Sequence, residues 1–159
     1  AGQTAASEKS KACGESMPDL LRVFLDANIL FSAALKPESR FLDFWKMRNL
    51  VPLTSMYAAD EARRNCVNDA HASRLVALLE QTHFVSDVPG ALLPAQIRLP
   101  AKDAPVLAAA MHAGADYLIT GDRHHFQRWM NLRIPTAVGV IVIQEPSQFL
   151  DEHLDRLEK

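Results

Sequence analysis

Tyr117 to Phe126 reads YLITGDRHHF. Tyr117, Leu118 and Ile119 carry side chains suited to a buried strand, and Thr120-Gly121-Asp122 breaks that strand into a loop, so a carboxylate stands where the chain leaves the core. A plain role is open to Asp122, because Arg123 to Met130 can form two helical turns and Asp is a favoured N-cap. Whether it caps or binds depends on which other acids reach the same place.

Working outward, Arg22-Val-Phe-Leu25 is a second apolar strand, and it ends at Asp26. Helical patterns follow over Asn28–Leu35 and Ser39–Asn49, the latter with Phe41, Leu42, Phe44 and Trp45 at helical spacing. Val51–Thr54 and His83–Val85 read as strands, separated by helices over Met56–Val67 and Ala70–Gln81. Asp103–Ala113 is the clearest helix, with Asp103 at the N-cap, Pro105 in the first turn and Gly114 as C-cap. Thr136–Ile143, nearly all apolar, predicts one more buried strand, followed by a helix over Pro146–Leu157. Short apolar strands joined by helical crossovers predict an α/β protein, three layers α/β/α around a central, mainly parallel sheet of Rossmann-related type.

The bulk properties agree with one soluble domain. The chain has 159 residues, of which 48% are hydrophobic, and a formal net charge of -2. No apolar run approaches the roughly 18–20 residues of a membrane span, so no membrane is expected among its partners. The opening AGQTAASEKSKACGES lacks an apolar core for a secretory signal and reads as a flexible tail. Met17 is a candidate natural start, and the expected organisation is a tail over 1–19 and a folded domain over 20–159. Cys13 and Cys66 show no paired spacing, so neither a disulfide framework nor a zinc site is expected, and a reducing cytoplasm is the expected setting.

In open α/β sheets the ligand crevice lies at the carboxyl ends of the strands, where Asp26 and Asp122 stand. Asp103, in the loop before its helix, falls on the same edge. Glu61 is the fourth candidate, on the helix after the second strand. Each has a bland alternative: Asp103 and Asp122 as caps, Asp26 as a cap or in a turn with Asn28, Glu61 on a solvated helix face. Asp60 has Arg64 at i+4 as a surface partner, which leaves Glu61 the freer acid. Several carboxylates in one small volume repel one another unless protons or a cation intervene, and Mg²⁺ or Mn²⁺ is the hard cation suited to oxygen ligands. His124 and His125 are adjacent rather than four apart, which disfavours a zinc pair and predicts a basic loop at the rim.

The ordered set VFLDANIL, YAADEARRN, LPAKDAPVLAAAMHAGADYLITGD and TGDRHHF resembles the PIN-domain nucleases, particularly single-domain bacterial members of toxin–antitoxin pairs. The resemblance runs from Leu21 to Phe149. It implies a PIN-like nuclease domain in which Asp26, Glu61, Asp103 and Asp122 hold Mg²⁺ or Mn²⁺ and single-stranded RNA is cleaved by an activated water. It also implies supporting roles for Asn28 and Thr120, with a cognate antitoxin and a homodimer as candidate assemblies. Ala27 departs from the Thr or Ser of many members. Asp116 precedes its strand and is expected to be structural.

With the four acids set aside, Lys and Arg outnumber the remaining acids by two. Arg63, Arg64, Lys102, Arg123 and Arg128 lie near the motifs and are candidate phosphate contacts. Two other readings compete. A haloacid-dehalogenase-like phosphotransferase also uses an acid after its first strand, but the chain lacks the second acid expected two residues later. A non-catalytic nucleic-acid-binding module would not need all four acids.

Overall fold

The structure, a computed structural model, describes residues 20–157. The expected tail over 1–19, with Cys13, lies outside the described residues. Six strands form one sheet: β1 Leu21–Leu25, β2 Leu50–Ser55, β3 His83–Val85, β4 Tyr117–Ile119, β5 Arg133–Thr136 and β6 Gly139–Gln144. Their order is β3-β2-β1-β4-β6-β5, and only β5 runs antiparallel to its neighbour. Six α-helices flank the sheet: α1 Ala27–Leu35, α2 Met56–Asn65, α3 Asp69–Leu79, α4 Ala104–His112, α5 Arg123–Phe126 and α6 Pro146–Glu152. The expected α/β/α fold is the observed one.

The central strands explain why the sheet is covered on both sides. Val23, Phe24, Leu25, Leu118 and Ile119 are all fully buried, a continuous run rather than an alternation, as parallel strands packed on two faces require. Each such side chain contributes on the order of 2 kcal/mol by burial. Asp116 fastens these strands at their start. Its Oδ2 accepts from the Arg22 N–H at 2.9 Å, and its backbone bonds to Arg22 in one direction and Val142 in the other. Burial raises its carboxyl pKa.

The strand order sets the site. From β1 the chain steps to β2 and β3 on one side, then returns to place β4 on the other side of β1. This reversal is the switch point, and the carboxyl ends of β1 and β4 open a crevice there. Val23, Phe24 and Leu25 pair in register with Tyr117, Leu118 and Ile119. The residues that follow, Asp26 and Thr120, are therefore neighbours.

Four elements differ from the sequence expectation. The helix over Ser39–Asn49 is a 3₁₀ segment, Arg40–Trp45, opened by Ser39 Oγ accepting from Phe41 N–H. It ends early because the chain must turn into β2, which it does through Asn49 at φ 57°, a left-handed conformation that Asn tolerates. The strand over Thr136–Ile143 is a hairpin of β5 and β6, with Thr136 opposite Gly139 across Ala137 and Val138. That turn carries apolar residues, Val138 being 72% exposed, so the apolar run concealed it. The two turns expected after Asp122 are α5 followed by a 3₁₀ turn, Gln127–Trp129. The last helix is α6 and a separate 3₁₀ turn, Leu154–Arg156. Among the described residues no helix is long and apolar enough to cross a membrane.

Candidate metal centre

Asp26 follows β1 and opens α1. Its Oδ1 accepts from the Ala27 N–H at 2.7 Å, and its Oδ2 accepts from the Thr120 hydroxyl at 2.9 Å. Burial is the dominant influence on this carboxyl: it pushes the pKa up to about 6, against the lowering effect of those two hydrogen bonds, with the charges of Glu61 and Asp103 adding to the rise. A buried, crowded acid of this kind is most stable either protonated or beside a cation.

Thr120 and Asn28 tie the two strand ends together. The Thr120 hydroxyl oxygen accepts from Asp122 N–H at 3.1 Å while donating to Asp26. The Asn28 side chain accepts from Gly121 N–H at 2.8 Å and donates to Thr120 Oγ1 at 3.3 Å. Asn28 also approaches Asp26 Oδ2 at 3.5 Å, the limit of a hydrogen bond. Thr120→Val keeps the shape and removes all three bonds of the hydroxyl, leaving Asp26 Oδ2, the Asp122 N–H and the Asn28 amide without this partner. Loss of a group that orients a ligand typically costs 10–100-fold. Divalent-metal affinity of Thr120→Val is expected to fall by roughly that factor, and Thr120→Ser to retain most of it; Mn²⁺ titration of both variants checks this.

Asp103 stands before α4 but does not cap it with its side chain. Its own backbone is already helical, at φ -98° and ψ -25°, and Pro105 removes one N–H that a capping oxygen could accept from. The carboxylate is buried and turned elsewhere. Its Oδ2 lies 2.9 Å from His125 Nδ1 without the alignment of a hydrogen bond, so both atoms are buried polar groups lacking one. Burial raises the Asp103 pKa, Lys102 and His125 oppose the rise, and Asp122 and Glu61 add to it.

Asp122 caps a helix with one oxygen and turns the other towards His125. Its Oδ1 caps α5 by accepting from the His125 N–H at 3.2 Å, and its Oδ2 lies 2.6 Å from His125 Nδ1. Among the described residues, Asp103, Asp122 and His125 form a group whose ligand atoms all fall within 4.8 Å of one another. Asp26 is outside that trio, at the adjacent strand end. Glu61, half-buried on α2, lines a cleft of about 230 Å³ with Ala27, Asn28, Phe31 and Asn65.

His125 was not expected here, since the adjacent pair His124-His125 reads as a rim. That reading fits the exposed His124 only. The overlooked signal is the spacing: His125 is three residues after Asp122, and in a turn capped by Asp122 residues three apart share a face. The basic residues also sort differently from expectation. Asp60 pairs with Arg63 at 2.6 Å rather than with Arg64, and Arg123 pairs with Glu145 at 3.0 Å. Lys102 Nζ stands 3.7 Å from Asp103 Oδ1 and 4.0 Å from Asp122 Oδ2. Arg64 and Arg128 are exposed.

Comparison with known proteins agrees with this fold. The family model described as the PIN domain matches residues 22–124, which takes in Asp26, Glu61, Asp103 and Asp122. Among solved structures, the fold is similar to that of VapBC2 from Rickettsia felis, determined bound to a DNA fragment from its promoter. The TM-score is 0.55 at 14% identity, covering 79% of this chain and 98% of that one. VapC20 of Mycobacterium tuberculosis, described as a sarcin-ricin loop cleaving toxin, aligns at a TM-score of 0.47 and 15% identity, over 63% and 91% of the two chains. No curated protein sequence matches the chain.

Proposed function

The chain belongs to the PIN-domain family of nucleases, and from that premise we propose that it is a metal-dependent endoribonuclease that cleaves single-stranded RNA by an activated water. The supporting observation is the acid cluster at the switch point, above all the buried Asp103 Oδ2, which has no hydrogen-bond donor of its own beside Asp122. An oxygen-rich, charge-crowded site suits Mg²⁺ or Mn²⁺, with Asp103 and Asp122 as direct holders and Asp26 and Glu61 completing the acidic wall. A bound divalent cation supplies charge neutralisation at the phosphodiester and a lower pKa for water.

The chain's own residues do the rest. Thr120 and Ala27 hold the Asp26 carboxylate in one orientation, and Asn28 fixes the loop that carries Asp122. Next to Asp122, a polar cleft of about 690 Å³ lined by Gly121, Arg123, His124, Gln127 and Asn131 offers space for the RNA strand. The exposed Arg64 and Lys102, whose 59% exposed side chain stands beside Asp103 and Asp122, are the candidates to meet phosphates, while Arg63 and Arg123 are paired with Asp60 and Glu145. By the likeness of its motifs to single-domain bacterial members, we assign the protein the role of toxin in a toxin–antitoxin pair, acting in the cytoplasm with a cognate antitoxin as partner.

The test is incubation of single-stranded RNA with Mn²⁺ or with EDTA, alongside a generic phosphatase substrate. RNA cleavage with Mn²⁺ and none with EDTA supports the proposal. Turnover of the phosphatase substrate with intact RNA supports a phosphotransferase instead. Metal linkage gives a second expected outcome: a cation bound only by the folded protein at 100 times its Kd stabilises by about 2.7 kcal/mol. The melting temperature should rise by roughly 5–10 °C in millimolar Mn²⁺. An unchanged melting temperature at saturating metal contradicts a shared site.

A further inference from the structure

We propose that His125 Nδ1 is a direct ligand of the metal, together with Asp103 and Asp122, making the centre a mixed oxygen–nitrogen site that prefers Mn²⁺ to Mg²⁺. The inference rests on the reading of this crevice as a divalent metal site and adds a ligand that an all-carboxylate site does not contain.

Spacing is the first argument. In an octahedral shell with bonds of about 2.1 Å, neighbouring ligand atoms are roughly 3.0 Å apart. His125 Nδ1 is 2.6 Å from Asp122 Oδ2 and 2.9 Å from Asp103 Oδ2. These are the edges of such a shell, and a small outward shift of the three groups admits a cation between them.

Hydrogen bonding is the second. Asp103 Oδ2 and His125 Nδ1 are both buried, and neither has a hydrogen-bond partner. The Asp103 side chain is only 8% exposed. A hydrogen on Nδ1 cannot be directed well at both carboxylates, whereas a cation accepts a lone pair from all three groups at once. Lys102 Nζ reaches the same acids at 3.7 and 4.0 Å, but its side chain is 59% exposed and free to withdraw.

Rigidity is the third. His125 is held in place from its own backbone, whose N–H donates to Asp122 Oδ1 at 3.2 Å, so the cap that orients Asp122 also sets the imidazole. An imidazole in the shell favours transition ions, because Mg²⁺ takes oxygen ligands and gives up water reluctantly.

Pulsed EPR of Mn²⁺ bound to the protein tests this without relying on activity. The expected spectrum contains ¹⁴N coupling that is replaced by ¹⁵N coupling when the protein is made with ¹⁵N-histidine. The coupling should disappear in His125→Gln and persist in His124→Gln. The ratio of Mn²⁺ to Mg²⁺ affinity should fall at least about tenfold in His125→Gln. Bound Mn²⁺ without histidine coupling in the labelled wild type overturns the His125 assignment and leaves the carboxylate site standing. Failure of millimolar Mn²⁺ to bind at all overturns both. The labelled wild-type protein decides the question even if His125→Gln does not fold.

Discussion

Asp26→Asn is expected to lower RNA cleavage by at least about 100-fold, since even groups that merely orient a ligand are worth 10–100-fold. The same substitution should stabilise the metal-free protein at neutral pH. Asn can keep the bond from Ala27 N–H through its oxygen and turn its NH₂ towards Thr120, so packing at the strand end is conserved. What it removes is a buried charge. The Asp26 carboxyl has a pKa of about 6 in the fold against an ordinary 3.8. Between these values the folded protein keeps a proton that the unfolded chain releases. Stability therefore falls as pH rises from about 4 through 6, and the full penalty, on the order of 3 kcal/mol, applies above that range. Asp26→Asn should flatten this part of the profile and raise the melting temperature at pH 7.5 by several degrees. Urea unfolding across pH 4–8 checks the sign. A variant that unfolds instead makes Asp26 a structural residue and takes the centre of the proposed site away.

Glu61→Gln should lose cleavage to a similar extent, about 100-fold, while Asp60→Asn changes it little. The two acids are adjacent on α2 but have different surroundings. Asp60 is held by Arg63 at 2.6 Å on the solvent side. Among the described residues Glu61 makes no ion pair, and its charge raises the pKa of both Asp26 and Asp103. Only Glu61 lines the cleft beside Ala27 and Asn28. Measured rates for both variants under one set of conditions separate the two. Loss in Asp60→Asn with retention in Glu61→Gln reverses the assignment of the second acid.

The residues that end strands were the most legible part of the chain. An acid closing an apolar run, as in VFLD and LITGD, is costly unless something uses it, and both positions lie at the switch point. The core strands were legible for the same reason, because continuous burial leaves continuous apolar sequence. Where a turn is itself apolar, as at Ala137-Val138, sequence periodicity has nothing to mark it. The segment around Phe44 has helical spacing yet forms a 3₁₀ helix, because the geometry of entry into β2, set by Asn49, overrides local pattern. His125 was hidden by its neighbour: a dipeptide HH suggests a charged surface, and only the turn capped by Asp122 shows that one imidazole faces inward. The pairing of Asp60 with Arg63 rather than Arg64 is a choice between i+3 and i+4 that side-chain rotamers make and spacing alone does not.

The nucleophile is the most direct point at which to test the account. Single-stranded RNA cleaved by the protein with Mn²⁺ in ¹⁸O-labelled water should yield a 5′-phosphate bearing one ¹⁸O and a free 3′-hydroxyl, as attack of water on phosphorus with departure of the 3′ oxygen requires. EDTA and Asp26→Asn should suppress both products together. A 2′,3′-cyclic phosphate without ¹⁸O, formed equally well in EDTA, would mean that the RNA's own 2′-hydroxyl attacks and that the acids of the crevice activate no water.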